Sequence, residues 1–163
     1  MMGSKKDRKR VLVIDDDDSV RRLVTRALSG AGHKVYGADD GVQAIECLRS
    51  TEYDVIILDL AMPRVDGFAV LHYLRESDPY LLRRVIVLTG GSPEAVNGDP
   101  IFSVILKPFT MARLLAEVGN CCRQPADHGP VQAATEEDTA ARRPISRIVQ
   151  RLIGRGEDIR GAS

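Results

Sequence analysis

Four consecutive aspartates, Asp15 to Asp18, follow the apolar run VLVI at residues 11–14. A further aspartate, Asp59, follows the run DVIIL, Thr89 follows RVIVL, and Lys107 follows VIL. Carboxylates drawn from two separate strands onto one crevice suit a hard divalent cation such as Mg²⁺, which takes oxygen ligands. A lysine and a hydroxyl at the same rim suit the oxygens of a phosphoryl group. Lys107 is the only lysine after Lys34 in a chain that otherwise carries its positive charge on arginine, and a compact ammonium at this place is consistent with a point-charge role. Taken singly, each residue has an ordinary structural role: Asp59 as a turn cap, Thr89 as strand chemistry, Lys107 as a solvated strand end. Their joint occurrence at ordered strand ends is what favours a site. The aspartate run itself is costly, since adjacent carboxylates repel by about 1 kcal/mol per close pair even in water. Asp15 and Asp16 are expected beside the cation. Asp17 and Asp18 are expected at a helix N-terminus, where the dipole favours negative charge and aspartate caps well.

The elements that must position these residues are legible as an alternation. Residues 11–14, 54–58 and 84–88 are continuous and β-branched, as expected of strands buried on both faces. Residues 104–106 and the weaker 34–36 complete a set of five. Between them lie helical periods. Val20, Leu23, Val24, Ala27 and Leu28 form one stripe, ended by Gly30 and Gly32. Val42, Ile45 and Leu48 mark a second helix, Phe68, Leu71 and Leu74 a third, and Met111, Leu114, Leu115 and Val118 the last, with Thr110 as its N-cap. Strand–helix alternation predicts a parallel sheet covered by helices on both faces. In such sheets the ligand site lies beyond the carboxyl ends of the strands, where the strand order switches.

With 163 residues, 44% hydrophobic and 28% charged, the chain can build one domain with a tail. Net charge is zero, but residues 1–10 hold five basic residues against one acidic, whereas residues 11–123 hold 12 against 16. This mildly acidic body argues against a nucleic-acid face. Cys47, Cys121 and Cys122 have no metal-ligand spacing and read as small apolar fillers in a reduced compartment. No apolar stretch is long enough to span a membrane and no signal region follows the basic N-terminus, so a cytoplasmic protein is expected.

DDDDSVRR, LDLAMPRVDG, VLTG and LKPF, in that order at four strand ends, resemble the receiver domains of two-component response regulators. The resemblance covers residues 11 to about 122. It implies a flavodoxin-like doubly wound α/β domain of five parallel strands in the order 2-1-3-4-5. It implies that Asp59 accepts a phosphoryl group from a phosphohistidine on a sensor histidine kinase or a histidine phosphotransfer protein. Asp16, Asp59 and the Ala61 carbonyl would hold Mg²⁺, with Asp15 helping directly or through water. Lys107 would contact a phosphoryl oxygen, the Thr89 hydroxyl would close on another, and Lys107–Pro108 matches a position where the peptide bond is usually cis. Met62, Pro63 and Gly67 shape the turn after Asp59 without touching the phosphoryl group.

The sequence also departs from that pattern. Receivers usually carry Tyr or Phe three residues before the lysine, where this chain has Val104; Phe102 lies two residues earlier, on the same strand-face parity. GGSPEAVNGDP, residues 90–100, leaves room for barely one helical turn around 94–96, so the fourth helix is expected to be shortened or missing. Two alternatives compete with the receiver. One is a receiver-like interaction module that works without phosphorylation, which the complete set of acidic, hydroxyl and lysine residues disfavours. The other is a haloacid-dehalogenase-like phosphatase, because Asp16-Asp17-Asp18-Ser19-Val20 fits a DxDx[TV] nucleophile motif; it fails because no acidic motif at a strand end follows Lys107, and it leaves LDLAMPRVDG unexplained.

The domain plan is a basic extension over 1–10, a receiver over 11–123, and a linker and tail over 124–163. Within the tail, Ile145, Ile148, Val149 and Leu152 predict a short amphipathic helix over 145–153. Forty residues after the last core helix do not hold a winged-helix output domain. The expectation is therefore a stand-alone receiver that acts on a downstream protein through contacts, and not on nucleic acid.

Overall fold

A computed structural model of the chain describes residues 8–125 together with Arg147, Gln150 and Arg151. Residues 1–7 of the basic extension and 126–144 of the expected linker lie outside the described residues. Of the expected helix at 145–153 only those last three residues are described, all helical, with Arg151 Nη1 3.8 Å from Glu76 Oε2.

The strands are β1 (Arg10–Ile14), β2 (Lys34–Ala38), β3 (Val55–Asp59), β4 (Val85–Thr89) and β5 (Ser103–Leu106). The α-helices are α1 (Asp18–Gly30), α2 (Gly41–Ser50), α3 (Gly67–Ser77) and α4 (Met111–Arg123), with 3-10 helices at Pro79–Arg84 and Pro93–Val96. All strand pairs are parallel and the order is β2-β1-β3-β4-β5. Every residue of β3 and β4 is buried, as the unbroken apolar runs predict. Strand alternation splits the core in two. Leu12, Ile14, Ile56, Leu58, Val85 and Val87 face α2 and α3, meeting Ala44, Val70, Leu71 and Leu74. Val11, Val13, Val55, Ile57, Ile86, Leu88 and Ile105 face α1 and α4, meeting Val24, Leu28, Leu114 and Val118.

Where a full helix would join β4 to β5 there is a single 3-10 turn, Pro93–Val96, as the glycines and prolines dictate. A bidentate pair, Arg75 Nε–Asp99 Oδ1 and Nη2–Asp99 Oδ2 at 2.5 Å each, ties this connection to α3. Three expectations need correction. Leu23 is 58% exposed and Phe68 41% exposed, although both fit their helical periods. The buried stripe on α3 runs through Val70, Leu71 and Leu74, because the angle at which the helix sits on the sheet selects the face, not the period alone. Phe102 also lies on the opposite side of the sheet from Val104. It precedes β5, so strand alternation does not reach it: Phe102 packs with the α1–α4 cluster and Val104 with the α2–α3 cluster. Among the described residues no helix is long and apolar enough to cross a membrane.

Candidate functional site

The register of β1 against β3 pairs Ile14 with Leu58, so the next residues, Asp15 and Asp59, stand side by side at the carboxyl edge. The chain turns from β1 outward to β2 on one side and has β3 on the other, so this is the switch point where a crevice opens. Asp59 and Thr89 are the last residues of their strands rather than the first residues after them, one position from the expected ends.

Asp15 is 1% exposed and Asp59 3%, while Asp16 is exposed; all three offer carboxylate oxygens within 4.8 Å of one another. Asp15 Oδ1 accepts the Asp17 N–H at 2.9 Å. Its Oδ2 is buried and has no hydrogen-bond donor. Lys107 Nζ, at 3.6 Å from that oxygen, is within ion-pair range but beyond hydrogen-bond reach. The same ammonium lies 3.2 Å from Asp59 Oδ2, so one positive charge faces three carboxylates. Burial pushes the Asp15 carboxyl above the ordinary carboxylate range, with Asp59 and Asp16 adding to the rise, against the opposing pull of the Asp17 N–H and Lys107. An orphaned buried oxygen in a net-negative, all-oxygen cluster is a donor set that fits a hard divalent cation.

The turn after Asp59 is held by close backbone packing. Asp59 Oδ1 accepts the Ala61 N–H at 3.1 Å. A Cβ on Gly67 would lie 2.4 Å from the Asp59 carbonyl oxygen and 2.7 Å from Leu60 Cα, so only glycine lets α3 begin against the strand end. Asp66 caps that helix, accepting from Ala69 N at 3.0 Å. On the other side, Lys107 N donates to the Thr89 carbonyl at 2.8 Å, and the Lys107–Pro108 bond is cis. Thr89 is 6% exposed, and its Oγ1 accepts the Gly91 N–H at 3.0 Å.

Thus the structure brings Asp15, Asp16, Asp59 and Lys107 into one cluster, with Ala61 bonded to Asp59 and Thr89 hydrogen-bonded to Lys107 through the backbone. Asp17 and Asp18 go to the helix, as expected. Asp17 Oδ1 accepts from Ser19 N at 2.8 Å and Val20 N at 3.2 Å, and Asp18 pairs with Arg21 and Arg22 at 2.7 and 2.8 Å. Arg21, which the sequence does not single out, donates from Nη1 to the Asp15 carbonyl at 2.8 Å. Its spacing of three from Asp18 on a helix was the available signal.

The family model for the response regulator receiver domain matches residues 11–119. Response regulator MprA of Mycobacterium sp. (strain KMS) is 34% identical over 145 residues, which are 87% of this chain and 63% of that protein. MprA of Mycobacterium avium (strain 104) is 35% identical over 146 residues, 87% of this chain and 64% of that one. The chain therefore spans under two thirds of the length of these relatives. Among solved structures, response regulator TrrA of Thermotoga maritima, in complex with Mg²⁺-BeF, superposes with a TM-score of 0.62 at 28% identity, covering 69% of this chain and 98% of that one. Chemotaxis response regulator CheY4 of Vibrio cholerae gives a TM-score of 0.63 at 28% identity, covering 70% and 98%. The order β2-β1-β3-β4-β5, the acidic crevice at its switch point and the match across nearly all of the described body together identify the chain as a member of the response regulator receiver domain family.

Proposed function

We propose that this chain is a phosphoacceptor of two-component signalling, taking a phosphoryl group onto Asp59 from a phosphohistidine on a sensor histidine kinase or histidine phosphotransfer protein. The observation that carries this reading is the Asp59 carboxylate itself. It is buried at a strand end, 3.2 Å from Lys107 Nζ, and its oxygen lies within 4.8 Å of oxygens from Asp15 and Asp16. An Asp59 oxygen attacks phosphorus in line; the phosphorus–nitrogen bond breaks, and the imidazole leaves with its electron pair and takes up a proton. Lys107 neutralises charge on the phosphoryl oxygens. The Thr89 hydroxyl donates its proton to another of those oxygens, a role that its present acceptance from the Gly91 N–H leaves open. Asp15, Asp16, Asp59 and the Ala61 carbonyl would hold Mg²⁺. When bound, the ion supplies charge neutralisation at the phosphoryl group; the Mg²⁺-BeF complex of the related TrrA supports an ion in such a site.

Beyond its own phosphorylation and dephosphorylation the chain catalyses nothing in this reading, and it passes the signal on through contacts with a protein target. A cytoplasmic place of action accords with the three free thiols. The test is label transfer from a phosphohistidine donor to the full chain and to its Asp59→Asn and Asp16→Asn variants. Label must vanish with Asp59→Asn. Label that persists without Asp59 and disappears without Asp16 because Asp16 is the acceptor would overturn the assignment.

A further inference from the structure

We infer that Arg21 is a positioning residue for the divalent-cation site, gripping the main chain of Asp15 so that the free oxygen of that side chain faces Asp59 and Asp16. This rests on the reading of the crevice as a cation site. Asp15 is held at both of its ends. Its Oδ1 is fixed by the Asp17 N–H at 2.9 Å, and its carbonyl oxygen receives Arg21 Nη1 at 2.8 Å. The other arm of the guanidinium, Nη2, lies 2.7 Å from Asp18 Oδ1, so one planar fork spans the strand end and the first residue of α1.

The Arg21 side chain is 19% exposed, far less than its neighbour Arg22 at 80%, so it is packed rather than solvated. Part of its seat is on β2: a Cβ at Gly37 would lie 3.3 Å from Arg21 Cδ, tighter than ordinary contact, and Gly37 leaves that room open. Three neighbouring features therefore converge on Arg21, namely the end of β1, the start of α1 and the surface of β2. Lysine cannot reproduce this arrangement, because a single ammonium cannot bridge a carbonyl and a carboxylate with a rigid fork. Partners that orient metal ligands from behind typically change metal affinity by about tenfold or more when removed.

Charge and position make opposite predictions here. If Arg21 acted only as a positive charge near the crevice, removing it would relieve repulsion of the cation and tighten binding. If it positions Asp15, removal weakens binding despite that relief. The experiment is titration of MgCl₂ into wild-type, Arg21→Lys and Arg21→Met protein, followed by backbone amide NMR shifts of residues 15–18 and 59–61, with melting in chelator to confirm folding. Both variants are expected to lose about tenfold in Mg²⁺ affinity. Wild-type affinity in both, or tighter binding in Arg21→Met with wild-type affinity in Arg21→Lys, overturns the inference. Should neither variant fold, Gly37→Val decides the matter. It leaves Arg21 in place and puts a strand-favouring side chain against its stem, so weaker Mg²⁺ binding is expected and unchanged binding overturns the inference. A wild-type chain that neither binds Mg²⁺ nor takes up label instead removes the reading of the site itself.

Discussion

Replacing Asp15 by Asn should make the metal-free protein more stable while abolishing its response to Mg²⁺. The magnitude follows from the distances in the crevice. With an effective dielectric constant near 20, the buried Asp15–Asp59 pair within 4.8 Å costs about 3.5 kcal/mol or more, and Lys107 at 3.6 Å returns about 4.6 kcal/mol to Asp15. These largely offset; the exposed Asp16 adds a screened repulsion of about 1 kcal/mol, and burial of the charge is the leading penalty. An orphaned buried acceptor such as Asp15 Oδ2 costs about 1–3 kcal/mol. Asparagine keeps an acceptor for the Asp17 N–H, removes the charge and places an amide where the orphan was. At neutral pH in chelator the variant should therefore melt about 3–8 °C higher than wild type.

The pH dependence has a definite sign. Burial raises the Asp15 pKa in the folded state, so between the unfolded value and the raised folded value the folded chain binds the extra proton. Wild-type stability from this group thus falls as pH rises through that window, and the penalty is fully present above it. The gap between variant and wild type should be widest near neutral pH and close on acidification towards pH 4. With millimolar Mg²⁺ the order should reverse, since only wild type gains binding energy. Chelator and Mg²⁺ melts across pH 4–8 read all of this. A variant less stable than wild type in chelator at pH 7, or a gap that widens on acidification, would refute the reasoning.

Gly67→Ala should cost about 1–3 kcal/mol, because the added Cβ meets backbone at Asp59 and Leu60 that cannot yield by a rotamer change. A thermal melt no lower than wild type would show that α3 can slide off the strand end freely. Arg75→Ala releases Asp99 from a partly exposed bidentate pair worth about 1 kcal/mol, so amide exchange across residues 97–102 should quicken about fivefold; unchanged protection there would mean that the connection is held by packing alone. Ser103 Oγ is buried without a partner, so Ser103→Ala should be neutral or stabilising by up to about 1 kcal/mol in denaturant unfolding, and a loss of more than that would reveal a partner bound to the hydroxyl.

The sequence by itself carried the architecture and the order in which the candidate site residues fall at the strand ends. Short, continuous β-branched runs bounded by turn residues fit strands buried on both faces, and their alternation with helical periods admits a doubly wound sheet. The order of DDDD, Asp59, Thr89 and Lys107 along the chain then places each residue at the same edge. Gly, Pro and Asn over residues 90–100 likewise foretold the lone 3-10 turn, since these residues act locally on the backbone.

What only the tertiary structure decided are the quantities that depend on how elements meet. Asp15 and Asp16 are adjacent and chemically identical, yet one is 1% exposed and the other open to solvent, because the turn out of β1 sends successive side chains to different environments. Leu23 and Phe68 fit their helical periods but lie outside, and Phe102 and Val104 share a parity but lie on opposite sides of the sheet. A period records which residues can share a face, whereas the docking angle and the point where the strand begins choose the face. Arg21 reads from sequence as one more surface charge. Only the meeting of β1, α1 and β2 makes it the residue whose guanidinium holds the Asp15 backbone, since its spacing from Asp18 marks the ion pair within α1 but not the hydrogen bond to a carbonyl six residues away.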